Sequence, residues 1–125
     1  VDIDLIVSKV VDQRLVNLAQ RSYYDELLAA GVRIHLFRDF LLHAKNASID
    51  GKVGVIGSSN VDLRSFQLNE EVSLFLFDEV SASSLEAIER SYLAASDIVD
   101  LAEWRRRGKP AMFAENLARL VSPLL

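Results

Sequence analysis

HAKNASID, residues 43–50, runs directly into GKVGVIGSSNVDLRSFQLNEEV, residues 51–72, and this stretch decides how the chain is read. Strands are expected at 42–49 and 52–56, joined at Asp50-Gly51, a dipeptide favoured in two-residue hairpin turns. In an extended strand, side chains two residues apart share a face. His43 and Lys45 then point the same way, a titratable ring beside a fixed cation able to meet one phosphate. Gly57-Ser58-Ser59-Asn60 supplies small residues, hydroxyls and a carboxamide where strand gives way to turn, a setting in which backbone N–H groups form an anion-binding nest. Glu71 precedes VSLFLF (72–77), a run apolar enough for an interior strand. From there Glu71 can accept the Nδ1–H bond of His43 and fix the tautomer of the ring.

Outward from this block the pattern alternates between strand and helix. Residues 3–7 read as a short strand and 13–30 as an amphipathic helix, with Leu15, Leu18, Leu27 and Leu28 at helical spacing and Gly31 as C-terminal cap. Val32, Ile34 and Leu36 alternate with polar neighbours in VRIHLF, the period of a half-buried strand, which completes a β-α-β unit. Downstream, Ser81, Ser83 and Ser84 are candidate N-caps for a helix through Leu85, Ile88 and Leu93 that ends near residue 96. Asp100 with Glu103 resembles a capping box for a short helix ending near Gly108, and Pro110 suits the first turn of another that reaches Leu120. The expected fold is α/β, a mixed β-sheet flanked by helices, with residues 1–125 forming one domain.

Composition narrows the function classes. Half of the 125 residues are hydrophobic, enough for a real core. Eighteen acidic against fourteen basic residues give a net charge of −4, which argues against a nucleic-acid binder relying on phosphate attraction. With no cysteine there is no disulfide, thiol nucleophile or thiolate metal site. The carboxylates do not cluster with either histidine at ligand-like spacing, so neither a metal nor another cofactor is implied. No apolar run approaches the roughly 20 residues that cross a bilayer, so the chain is expected to be soluble. It opens at Val1 inside a strand-like run, as though preceded by more sequence.

HxKxxxxD alone arises by chance in on the order of one per cent of chains this long. HxKxxxxD followed by GSxN and then NxEV, however, resembles the signature of the phospholipase D superfamily. His43, Lys45 and Asp50 match its HKD motif, Ser58 and Asn60 its phosphate-binding GSxN residues, and Glu71 its histidine-orienting carboxylate. LLHAK, IGSSNVDLRSFQLNEEV, EWRRR and RLVSPLL, with RSYYDELLAAGVRI near the start, are similar to the C-terminal half of bacterial cardiolipin synthases. Asn46 and Glu70 depart from that pattern, which usually has a small hydroxyl residue at the first and an aromatic at the second. The resemblance implies a phosphatidyltransferase that joins two phosphatidylglycerol molecules and releases glycerol through a phosphohistidine. It also implies an N-terminal HKD half as partner, a membrane-associated cytoplasmic parent, and His43 as the general acid and base. A water-using phosphodiesterase or nuclease, and a non-catalytic interaction domain, remain alternatives. Two copies of the isolated chain are expected to pair about a two-fold axis without recovering activity.

The remaining polar residues have plainer readings. Asp50 is expected to shape its turn, His35 to be an ordinary strand histidine, and Glu70 to be solvated or to line the entrance to the site. Asp62 and Arg64 are expected to brace the loop after GSxN. Trp104-Arg105-Arg106-Arg107 has two open readings: arginines completing a helix C-terminus, or a contact with anionic lipid headgroups.

Overall fold

Strands β1 (Asp4–Ser8) and β2 (Arg33–Phe37) lie parallel, in register from Asp4 opposite Arg33 to Ser8 opposite Phe37. This is the pairing a β-α-β crossover requires. The crossover is two helices rather than the expected one, α1 (Arg14–Arg21) and α2 (Tyr24–Ala29). The break falls at Ser22, whose hydroxyl donates to the Ala19 carbonyl at 2.6 Å, while Tyr23 N–H turns to Gln20 O in a tighter three-residue bond. Such side-chain bonds compete with the helical ladder. Gly31 caps α2 as expected, with Val32 N–H reaching Leu27 O and Gly31 N–H reaching Leu28 O, the paired bonds of a Schellman motif.

The computed structural model describes residues 1–60 and 69–124. They divide into two compact units: Val1–Leu42 with Ala95–Leu125, and His43–Ala94. In the first unit a strand not foreseen in the sequence, β6 (Ser96–Ile98), runs antiparallel to β2, giving a mixed sheet of order β1-β2-β6. Tyr24, Ile34 and Trp104 form its core, packed by Leu5, Val7, Leu27, Leu28, Val32, Leu36 and Val99. Helix α4 (Leu101–Arg105) starts on the expected cap, Asp100 accepting Glu103 N–H at 2.9 Å. Gly108 caps α5 (Lys109–Val121), with Pro110 in its first turn, and a short 3₁₀ turn follows (Ser122–Leu124).

The second unit is an antiparallel sheet of order β3-β4-β5, comprising Asn46–Ile49, Val53–Gly57 and Ser73–Leu76. It is covered by α3 (Glu79–Ala94). The hairpin turns where expected, through three residues instead of two. Asp50 and Gly51 both take positive φ, 52° and 65°, and Lys52 N–H closes on Ile49 O, the backbone a primed turn demands. Among the described residues β5 is an edge strand, with Leu74, Phe75 and Phe77 exposed. The interior position expected from its apolar sequence is therefore corrected. Helix α3 is capped by Asp78, which accepts Ser81 N–H at 2.8 Å, and that bond holds its carboxyl below the usual range. The serines expected as caps lie inside the helix, Ser83 and Ser84 donating back to Val80 O.

Candidate active site

Every motif residue of the described chain falls in the second unit, at the two ends of the β3-β4 hairpin. The expected strand over 42–49 begins only at Asn46. One further ladder bond, Gly57 N–H to Lys45 O at 2.8 Å, carries the pairing back to Lys45. His43 lies beyond it, exposed, so strand pairing does not by itself lock the two side chains to one face. What ties them is local: Lys45 Nζ donates to the His43 carbonyl at 3.0 Å. The His43 ring has no hydrogen bond among the described residues and is open to a reactant.

The GSxN turn is wired to the start of β5. Ser58 N–H donates to Val72 O at 3.0 Å, and the Ser58 hydroxyl accepts Val72 N–H at 3.0 Å while donating to the Glu71 carboxylate. Glu71 thus meets Ser58 and not His43, contrary to the expected tautomer-fixing bond. The anion nest is also reduced. The N–H groups of Gly57 and Ser58 are both spent on carbonyls, of Lys45 and Val72, and Asn60 is exposed. Gly57 has no room for a side chain: a Cβ there would stand 2.9 Å from Ser73 Oγ and 3.1 Å from Val72 O. Its bareness lets the two strands close around the turn.

Asp50 sits at the opposite end of the hairpin. At ~3.3 Å per residue, five steps put it roughly 16 Å along the strand from Lys45, too far to share a proton with groups around Lys45. Its place is the left-handed apex of the turn. Asp62 and Arg64 lie outside the described residues. Glu70 is exposed. In the first unit His35 Nε2 is 2.8 Å from Asp4 Oδ1, beside the Arg33–Asp4 ion pair, and takes no part in the motif block.

Most of the arginine segment makes contacts within its own unit. Trp104 is buried against Tyr24, ring centroids 5.1 Å apart. The Arg21 and Arg107 guanidiniums lie over its ring at 4.8 and 4.3 Å. Both arginines pair with Glu115, which is only 1% exposed; a carboxylate so buried is tolerable because it is doubly paired. Arg107 also caps α4 by donating to Trp104 O at 2.8 Å, and Arg105 pairs with Asp25 at 2.9 Å, holding that carboxyl below its usual range. Arg106 alone of the three arginines has no partner among the described residues.

One contact was not anticipated. Glu89 of α3 receives Asn46 Nδ2 at 2.7 Å and, through its other oxygen, the Ser48 hydroxyl. The available signal was spacing: Glu89 follows Leu85 by one helical turn and so shares its sheet-facing side.

Residues 1–91 match the family profile described as "Cardiolipin synthase, PLD-like domain". The chain belongs to this family. Over all 125 residues it is 39% identical to cardiolipin synthase A of Serratia proteamaculans and of Proteus mirabilis, and 38% identical to that of Erwinia tasmaniensis. It spans 26% of the length of each of these relatives, about a quarter. No solved structure matches significantly. The mixed α/β architecture accords with a PLD-like domain. Among the described residues no helix is long and apolar enough to cross a membrane, and no three potential metal ligands converge.

Proposed function

We propose that this chain is the C-terminal, HKD-bearing catalytic half of a membrane-associated phosphatidyltransferase that makes cardiolipin from two phosphatidylglycerol molecules. In the first step a histidine from the N-terminal half attacks phosphorus and forms a phosphohistidine, while His43 protonates the departing glycerol oxygen. In the second, His43 takes the proton from the hydroxyl of a second phosphatidylglycerol, whose oxygen displaces the histidine. Lys45 neutralises the phosphoryl oxygens, the Asn60 carboxamide donates a hydrogen bond to them, and Ser58 joins by exchanging its bond to Glu71 for one to phosphate. Arg106 is the residue of its segment left to contact anionic headgroups.

The observation that supports this reading is the backbone bond from Gly57 N–H to Lys45 O, which joins the Lys45 position to the GSxN turn, with the His43 ring, unbonded among the described residues, two residues away. The test is phosphatidyl transfer by the complete protein in phosphatidylglycerol vesicles, following cardiolipin and glycerol together. His43→Ala and Lys45→Ala are each expected to lower turnover by about 10²–10⁴-fold with the thermal melt unchanged. EDTA is expected to leave turnover unaltered, since histidines and fixed cations fill the roles a divalent ion takes elsewhere. Phosphatidic acid as the sole product would reassign the acceptor to water; wild-type turnover in His43→Ala would overturn the site.

A further inference from the structure

We infer that Glu89 is a positioning residue for the motif strand, acting through Asn46 and Ser48 on His43 and Lys45; this rests on the catalytic reading above. Among the described residues strand β3 is an edge, hydrogen-bonded on one side only, to β4. It starts at the residue after Lys45, so any slide or tilt of β3 is passed directly to the two motif side chains. The opposite attachment comes from α3. Asn46 and Ser48, two residues apart on one face of the strand, both donate to Glu89, one to each carboxylate oxygen.

A two-point clamp fixes direction as well as distance, which a single bond or an apolar contact does not. The carboxylate is itself firmly carried. One turn earlier Leu85 is buried over β4, where a Cβ on Gly54 would come within 3.0 Å of Leu85 Cδ2. Both donors are neutral, and Glu89 has no cation partner among the described residues, so its charge is not consumed by an ion pair. Asn46 stands where the resemblance leads one to expect a small hydroxyl residue. Its longer carboxamide is what reaches the helix, so the departure becomes half of the clamp.

The experiment uses the complete protein with Glu89→Ala, Glu89→Gln, the pair Asn46→Ala/Ser48→Ala, and the triple combination. Displacing a reacting group by about 1 Å costs up to roughly 100-fold. Glu89→Ala is expected to lower kcat about 10- to 100-fold with KM within about two-fold, at temperatures where the melt shows the variant folded. The triple variant is expected to lose no more than Glu89→Ala alone, because all three residues form one device, and Glu89→Gln, keeping one acceptor oxygen, to fall between. Additive losses, or an unchanged kcat in folded Glu89→Ala, would overturn the proposal. Should the wild type show no phosphatidyl transfer, the catalytic reading fails, and amide exchange at 46–49 still decides the clamp: faster exchange in Glu89→Ala supports it, unchanged exchange rejects it.

Discussion

The two units differ in what holds them and in what they leave open. In the unit built from Val1–Leu42 and Ala95–Leu125, Tyr24, Ile34, Phe37 and Trp104 are buried, and even the charged Glu115 is enclosed by two arginines. In His43–Ala94 the buried hydrophobic side chains are Ala82 and Leu85 alone among the described residues, while Ile49, Leu74, Phe75 and Phe77 are exposed. Yet the motif residues are all in the second. Buried packing and motif residues are thus unequally shared: the first unit is densely braced, and the second holds its motif side chains with a helix, a hairpin and a few polar contacts.

Large-to-small substitution should break this contrast most visibly in the scaffold. Trp104→Ala removes a ring stacked on Tyr24 and covered by two guanidiniums, and should cost about 3–5 kcal/mol in denaturant unfolding. Phe77→Ser, on the exposed side of the other unit, should change stability by less than about 0.5 kcal/mol. Equal losses would erase the distinction. Glu115→Ala should be nearly as severe as the tryptophan change, about 3–5 kcal/mol, since it strands Arg107 in a largely buried position. Gly57→Ala should cost about 1–3 kcal/mol through crowding against Val72 O and Ser73. Because that crowding lies at the GSxN turn, it should lower the phosphatidyl transfer proposed for the complete protein by more than its stability loss explains, read as activity of the folded fraction.

The smallest effect is with pH. The Asp4 carboxyl is held down to about 2 by the Arg33 guanidinium, with His35 adding to it. A carboxyl lowered in the folded state contributes stability above its ordinary value near 3.8, and that contribution is lost as pH falls toward 2. Asp4 is partly solvated, so the effect is modest. Urea midpoints should be level from neutrality to about pH 4 and decline below it, and Asp4→Asn should flatten the decline.

The strands and helices were legible where one local signal governed them: the Asp50-Gly51 turn, the Gly31 cap, the Asp100 cap and the alternation of VRIHLF. They were illegible where tertiary pairing decided. Ser96–Ile98 is a strand because β2 offers it an edge, which no periodicity over three residues announces. Trp104 beside three arginines leaves helix capping and lipid contact both open in the sequence, and its burial beneath Arg21, which pairs with the distant Glu115, is decided by tertiary packing. For the proposed site, spacing singled out His43, Lys45 and the GSxN turn. It could not foresee that Ser58 would claim Glu71, since that bond depends on how β5 docks beside the turn.

The way the chain leaves and rejoins its first sheet also sets an order of assembly. Phe37 lies opposite Ser96, and Arg38 N–H bonds Ala95 O at 3.1 Å, so the whole of His43–Ala94 is a detour between two adjacent strands. During synthesis the detour emerges complete before β6, α4 and α5 exist. The hairpin and α3, built from near-neighbour contacts, can organise early, whereas Trp104 and Glu115 reach Tyr24 and Arg21 only after the last helices leave the ribosome. Until then the first sheet lacks its third strand and its core lacks Trp104. Nascent chains stalled before residue 96 should therefore hold a formed motif hairpin while the other unit is still unfinished, the reverse of the stability ranking in the mature fold.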